Sequence, residues 1–165
     1  MPERRVLDRR LTARRCGAPC AGYGLTGTLP SFAVTSAALG VSKNPAVRAF
    51  AETMIRDHTA VNDRALALLK KLKVQSQDNA FSHQLLDQSD GLVDELRQLG
   101  GHAFDQRYAR NELSYHHTVN ELVEKTFIPK IENAQMKALF QEALVIFKAH
   151  EQHAQRMVDA VALQR

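Results

Sequence analysis

Apolar residues recur at alternating steps of four and three along two long stretches of the chain, which is the spacing of one buried face of an α-helix. The first stretch follows Asn44-Pro45, a capping side chain with proline at the first helical position, and continues to about Lys73. The second starts near Asn133 and runs almost to the C-terminus. The two faces are formed by Val47, Ala51, Met54, His58, Val61, Ala65, Leu68 and Leu72, and by Met136, Phe140, Ala143, Phe147, His150, Ala154, Met157 and Val161.

Three further helices are predicted around these two. A short apolar segment covers Leu29 to Leu39, a longer segment stops at Gly100-Gly101, and another helix runs from about Ala103 to Phe127 before Pro129. The chain shows no strand-like alternation, and the connections are short. We therefore expect an all-α fold, an up-and-down four-helix bundle with the short first segment packed as an additional N-terminal helix beside the four longer ones.

The helix that ends near Phe127 has the densest polar cluster on its predicted inner face. Stepping back by four and three from Phe127 and Val123 leads to His116, Glu112, either Tyr108 or Ala109, and Asp105. A competing frame turns Glu112 and His116 to the flank of the helix, and it is formed by Phe104, Tyr108, Tyr115 and Leu122. The spacing favours the first frame, with Glu112 and His116 facing the core.

Three predicted helices thus carry a histidine on their apolar face, where Leu, Ile or Val is usual. With a rise of about 1.5 Å per residue, His58, His116 and His150 all fall in the middle third of the bundle. Buried imidazoles need partners for both nitrogens, so their convergence indicates either a closed hydrogen-bond network or a bound metal. The candidate ligands are His58, His116 and His150 with Asp105 or Glu112, and Asp57 and Tyr108 are candidate hydrogen-bond partners of the ligands.

Ligand types decide which metals fit this set. The chain lacks the Glu-x-x-His pairs of di-iron bundles, so a histidine-rich site for one ion is better supported than a di-iron centre. Imidazole with a few carboxylates suits zinc, copper, nickel or iron, and the sequence does not choose among these divalent transition metals.

Charge argues against a nucleic-acid partner. The net charge is +4, and residues 1–28 contain six arginines and two acidic residues, which already account for +4. Residues 29–165 carry 16 basic and 16 acidic side chains, so the helical domain has no excess positive charge. We expect residues 1–28 to be a disordered Arg-rich tail without a signal peptide. No run of apolar residues is long enough to cross a bilayer.

Several segments together resemble a known family. These are Val47-Arg-Ala-Phe-Ala-Glu-Thr-Met-Ile-Arg-Asp-His58, then Gly101-His-Ala-Phe-Asp105 with Tyr108, then His116, and His150 ahead of a final amphipathic turn. Over residues 30 to 163 the chain resembles the bacterial family called domain of unknown function 4142. The resemblance implies a ferritin-like bundle and export to the periplasm or cell envelope, with a cytoplasmic location as the alternative. The family usually has an inward glutamate in its first helix, and Phe32 to Ser42 contain no acidic residue.

Two functional hypotheses follow, from different classes. The favoured one is a non-catalytic bundle of the envelope, active in stress tolerance or interaction, whose polar core gives fold specificity. Its expected partner is either a second copy of the chain or another protein, and the sequence does not choose between them. The alternative is a metal-binding, redox-capable ferritin-like protein with a histidine-rich site. The chain has no nucleophile elbow, phosphate-binding glycine loop or H-E-x-x-H element, so an enzyme is the less favoured reading.

Overall fold

The computed structural model describes residues 30–75 and 80–164, and all regular secondary structure in these two ranges is helical. The all-α prediction is therefore confirmed. The expected tail, residues 1–28, lies outside the described residues. Within the described ranges, no helix combines the length and the apolarity that a membrane span requires. The helices are α1 (Pro30–Val41), α2 (Pro45–Leu72), α3 (Ala80–Leu96), α4 (Gly101–Leu122), a π-helix (Val123–Phe127), α5 (Ile128–Lys130) and α6 (Ala134–Ala162).

The two longest helices begin where their capping residues predict. The side chain of Asn44 accepts a hydrogen bond from the Ala46 amide at 2.9 Å, and Pro45 occupies the first turn. The side chain of Asn133 accepts one from the Met136 amide at 3.0 Å. Because both caps satisfy otherwise unpaired amides at a helix start, the start of each helix is fixed by local sequence.

The junction after α4 differs from the prediction of an end at Phe127. The chain widens into the π-helix, in which the Ile128 amide donates to the Val123 carbonyl, and it stays helical to Lys130. Pro129 has no amide hydrogen to donate to the preceding turn. Hydrogen bonds between residues five positions apart, as in a π-helix, accommodate the proline. Proline here widens the helix instead of ending it.

Core residues show that α6 runs antiparallel to both α2 and α4. Close to its C-terminus, α6 places Met157 and Val161 in one apolar cluster with residues from the starts of α2 and α4. At the opposite end, Met136 of α6 packs with Ala65 and Leu69, which lie late in α2. Helix α6 thus lies against two parallel helices, and the middle of each one faces the middle of the others.

Helix α1 packs against the longer helices with one face and exposes the other. It packs between α2 and α3, touches α4, and buries Val34, Thr35 and Ala38. The guanidinium of Arg48 donates to the Leu39 and Ser42 carbonyls at 2.7 and 3.2 Å, which satisfies acceptors at the end of α1. The short segment is therefore an additional N-terminal helix packed beside the longer ones, as the sequence predicted.

Candidate metal centre

Three histidines from three helices meet in the middle of the bundle. His58 of α2, His116 of α4 and His150 of α6 are 8%, 2% and 3% exposed. Their ring centroids are 5.9 Å apart for His58 and His116, 5.3 Å for His58 and His150, and 5.6 Å for His116 and His150. One ring nitrogen from each lies within 4.8 Å of the corresponding atoms of the other two. The three histidines therefore converge, as expected from their heights along the predicted helices.

Each of these histidines has a buried ring nitrogen without a hydrogen-bond partner among the described residues. These atoms are Nε2 of His58, Nε2 of His116 and Nδ1 of His150. In two of the rings the other nitrogen is hydrogen-bonded. His116 Nδ1 donates to the Glu112 carbonyl at 2.8 Å, and His150 Nε2 donates to the Asp57 carboxylate at 3.0 Å. Because a neutral imidazole has one N–H, the free nitrogens of His116 and His150 carry lone pairs.

Burial keeps the cluster neutral. It lowers the pKa of His58 to about 3, with His116 and His150 contributing in the same direction. It lowers the pKa of His116 to about 4, although the hydrogen bond to the Glu112 backbone opposes the shift. Burial also lowers the pKa of His150, and the Asp57 hydrogen bond opposes that shift. At neutral pH all three rings can offer lone pairs, as metal coordination requires.

Two aromatic side chains, Phe147 and Phe50, contact the histidine cluster. The Phe147 ring stacks on His58 at 5.1 Å with an interplanar angle of 18°. The ring of the fully buried Phe50 lies edge-on to His116 at 5.9 Å and to His153 at 5.1 Å. These rings keep the imidazoles in a low-dielectric environment, where an unpartnered nitrogen is costly.

Asp57 holds His150 from the rim of the site. Its side chain is 24% exposed and also accepts from Arg56 Nε at 2.7 Å. The Arg56 hydrogen bond lowers the pKa of Asp57 most, burial opposes, and the His150 hydrogen bond lowers it further. Asp57 is therefore an ionised acceptor that fixes the orientation of the His150 ring, the position predicted for a partner of a ligand.

Glu112 is buried beside the histidines, as the first of the two frames predicted. Its carboxylate faces the hydrogen-bonded nitrogen of His116, not the free nitrogen that would bind a metal. It is 1% exposed, and its Oε2 lies 3.9 Å from Nδ1 of His116, the nitrogen already bonded to the Glu112 carbonyl. Burial raises the pKa of Glu112 to about 7. Glu112 also borders a groove, partly open to solvent, whose wall includes Val34, Leu85, Gln88, Ser89, Leu92, Asn111 and Tyr115.

Asp105 lies away from the histidines. It precedes His116 by eleven residues on α4, which corresponds to about 16 Å along a helix. Its Oδ1 accepts a hydrogen bond from Ser42 Oγ at 2.5 Å, so it ties α4 to the turn between α1 and α2. Helical spacing placed Asp105 on the correct face, but the same face extends over several turns. The structure therefore assigns Asp105 to the fold and not to the ligand set.

Tyr108 also lies outside the immediate surroundings of the cluster. It is fully buried, its ring lies 6.2 Å from Phe50 and 6.2 Å from Phe104, and burial raises its pKa well above the usual range. Phe50 contacts the rings of both Tyr108 and His116. Tyr108 therefore supports the wall of the site and is not in position to bind a ligand directly.

Two amides next to the site were missed by the sequence reasoning. Asn120 is 3% exposed, and its Nδ2 donates to the Phe147 carbonyl at 3.2 Å and to Glu151 Oε2 at 2.7 Å. Asn62 also buries its Oδ1, and neither Oδ1 has a hydrogen-bond partner among the described residues. The available signal was their spacing, because each follows a core histidine by four residues and so shares its face.

These features define an all-α bundle protein with a buried, neutral cluster of three histidines on three helices. The chain belongs to the family described as domain of unknown function (DUF4142), whose model matches residues 32–157. Comparisons with curated proteins and with solved structures gave no match. The family assignment confirms the predicted resemblance and leaves the chemistry to be argued from the site.

Proposed function

We propose that this protein binds one divalent transition-metal ion through His58, His116 and His150. The observation that carries the proposal is the set of three buried ring nitrogens, one on each histidine, that have no hydrogen-bond partner among the described residues. The sequence favoured a polar core that satisfies itself. That reading requires partners for these nitrogens, whereas a metal supplies one partner to all three at once.

The dimensions support a single ion. Metal–nitrogen bonds of about 2.0–2.1 Å in a tetrahedral site place ligand nitrogens about 3.3 Å apart. The histidine nitrogens lie within 4.8 Å of one another, so ring rotations and small side-chain shifts suffice to close the site. The other ring nitrogens of His116 and His150 donate hydrogen bonds to the Glu112 carbonyl and the Asp57 carboxylate. Hydrogen bonds of this kind usually orient metal-bound imidazoles.

Imidazole ligands also limit the choice of metal. Three neutral histidines suit zinc and copper, and they accept nickel and ferrous iron, whereas hard oxygen-seeking ions such as Mg²⁺ are poorly matched. Asp57 supplies a negative charge next to His150 without taking a ligand position. The bundle is proposed to act as a ferritin-like holder of this ion.

Metal analysis of protein purified without a histidine tag tests the proposal. After chelation and reloading with zinc or copper, we expect one ion per chain by elemental analysis and a raised melting temperature, because binding to the folded state alone stabilises it. The variants His58→Ala and His150→Ala should lose the ion. The variant His102→Ala removes an exposed histidine of α4 and should retain it.

Absence of a stoichiometric ion would reject metal binding. It would support the alternative hypothesis, in which the polar core has a structural role only. Loss of the ion in His102→Ala to the same extent as in His58→Ala would reject this site in particular. A combined His58→Phe/His150→Phe variant, which keeps aromatic packing, guards against a simple failure to fold.

A location in the periplasm or cell envelope is proposed on the family resemblance alone. Fractionation of cells that produce the full chain tests it. Recovery with a periplasmic marker supports the proposal, and recovery with a cytoplasmic marker contradicts it.

A further inference from the structure

The amides of Asn62 and Asn120 point to an additional feature of the proposed site. Five buried side-chain atoms of the three histidines and these two asparagines lack a hydrogen-bond partner among the described residues. Both asparagine atoms are Oδ1, which can only accept hydrogen bonds. The bundle therefore contains three unpartnered ring nitrogens and two unpartnered amide oxygens, and no described side chain donates a hydrogen bond to these oxygens.

The orientation of the Asn120 amide is settled by its surroundings. Its other terminal atom contacts two acceptors, the Phe147 carbonyl and the Glu151 carboxylate. Only the nitrogen of an amide can donate to both, so the remaining atom is the oxygen. Hydrogen bonds to α6 thus hold the amide in one orientation, and its oxygen is left without a donor.

Register places the two amides at the same height. Phe50 contacts Tyr108, and His58 contacts His116, so residues of α2 face residues of α4 numbered 58 higher at both points. The same offset sets Asn62 level with Asn120. Both lie one turn, about 6 Å, beyond the histidines, and helical side chains lean toward the N-terminus, which here is toward the histidine layer.

Three protein ligands leave a metal ion with an incomplete shell. No fourth histidine, cysteine or carboxylate joins the three histidines among the described residues. Sites with three protein ligands commonly keep an exchangeable water in the remaining position. A bound water has two hydrogens to donate, and two acceptors are available on the amide side of the cluster.

We propose that the ion bound by the three histidines keeps an exchangeable water, which donates its two hydrogens to Oδ1 of Asn62 and Oδ1 of Asn120. The inference rests on the proposed metal site. Small exogenous ligands can therefore replace the water in this coordination position. The two amide oxygens favour ligands that donate hydrogen bonds. An anion such as azide displaces the water but leaves both amide oxygens without a donor, so the asparagines disfavour anions.

Cobalt(II) with azide as the probe ligand tests this inference. In the cobalt-loaded protein, azide should produce a saturable change in the visible absorption. The variants Asn62→Leu and Asn120→Leu remove one acceptor each and should bind azide about tenfold more tightly, since each relieves one unmade hydrogen bond. The matched control is Asn111→Leu, which removes the amide next to Glu112 on the groove side of α4 and should leave azide affinity unchanged.

The outcomes separate the two proposals. Failure to bind one cobalt ion would overturn the three-histidine site, and this inference with it. Cobalt binding without any response to azide would leave the metal site intact and overturn the open position, as expected if the amides ligate the ion directly. Equal azide affinities in Asn62→Leu and Asn111→Leu would overturn the role of the amides, and Asn62→Leu serves if Asn120→Leu does not fold.

Discussion

Lowering the pH from 7 to 5 should destabilise the metal-free protein, because the three histidines of the cluster are buried in the neutral form. Burial lowers the pKa of His58 from 6.5 to about 3 and that of His116 to about 4. Across this interval the unfolded chain binds the additional protons, so stability is complete above the unfolded pKa and falls as the pH falls. Since each pKa unit corresponds to about 1.4 kcal/mol, each of these two histidines costs about 2 kcal/mol at pH 5.

Glu112 acts in the opposite direction. Burial raises its pKa from 4.5 to about 7, so the folded state binds more protons than the unfolded state between these values. Its contribution to stability is present at low pH and is lost as the pH rises through 7. Going from pH 7 to pH 5 therefore recovers about 2 kcal/mol, which leaves a net loss of about 2 kcal/mol from His58, His116 and Glu112 together. The lowered pKa of His150 adds to this loss.

Urea unfolding of chelator-treated protein at the two pH values measures these terms. The variant Glu112→Gln lacks the opposing contribution and should lose about 2 kcal/mol more than the wild type between the two pH values, whereas His58→Leu should lose about 2 kcal/mol less. The exposed Glu142, paired with Arg64, provides a control in Glu142→Gln, which should follow the wild type. The reasoning is refuted if Glu112→Gln has the same pH dependence as the wild type, or if His58→Leu is as sensitive to acid as the wild type.

Three other changes test the assignments residue by residue. Asp57→Asn removes the anionic acceptor that orients His150 and should weaken metal affinity about 10- to 100-fold in a competition assay; unchanged affinity would remove Asp57 from the site. Asp105→Asn should leave metal stoichiometry at the wild-type value, because Asp105 bonds Ser42 at the turn, and loss of the ion would restore Asp105 as a ligand. Phe50→Ala, a truncation in the fully buried core, should cost about 3–5 kcal/mol in urea unfolding, and a cost under about 1 kcal/mol would contradict the packing described.

Local sequence was sufficient for the helices and for the faces they bury. The caps at Asn44 and Asn133 and the steps of three and four identified α2 and α6 and placed His58 and His150 inward. Spacing also put Glu112 and His116 in the core, where the structure has them. These features follow from contacts between residues a few positions apart, which a single helix contains within itself.

Only the tertiary structure decided which polar residues meet. Asp105 and His116 share a face of α4 but lie about 16 Å apart in height, and a face alone does not specify height. The offset that aligns His58 with His116, and Asn62 with Asn120, depends on how α2 and α4 pack against α6. Which nitrogen of His150 stays free depends on Asp57, ninety-three residues away in sequence. Periodicity is a property of one helix, whereas register and the partner of each ring nitrogen arise from packing between helices.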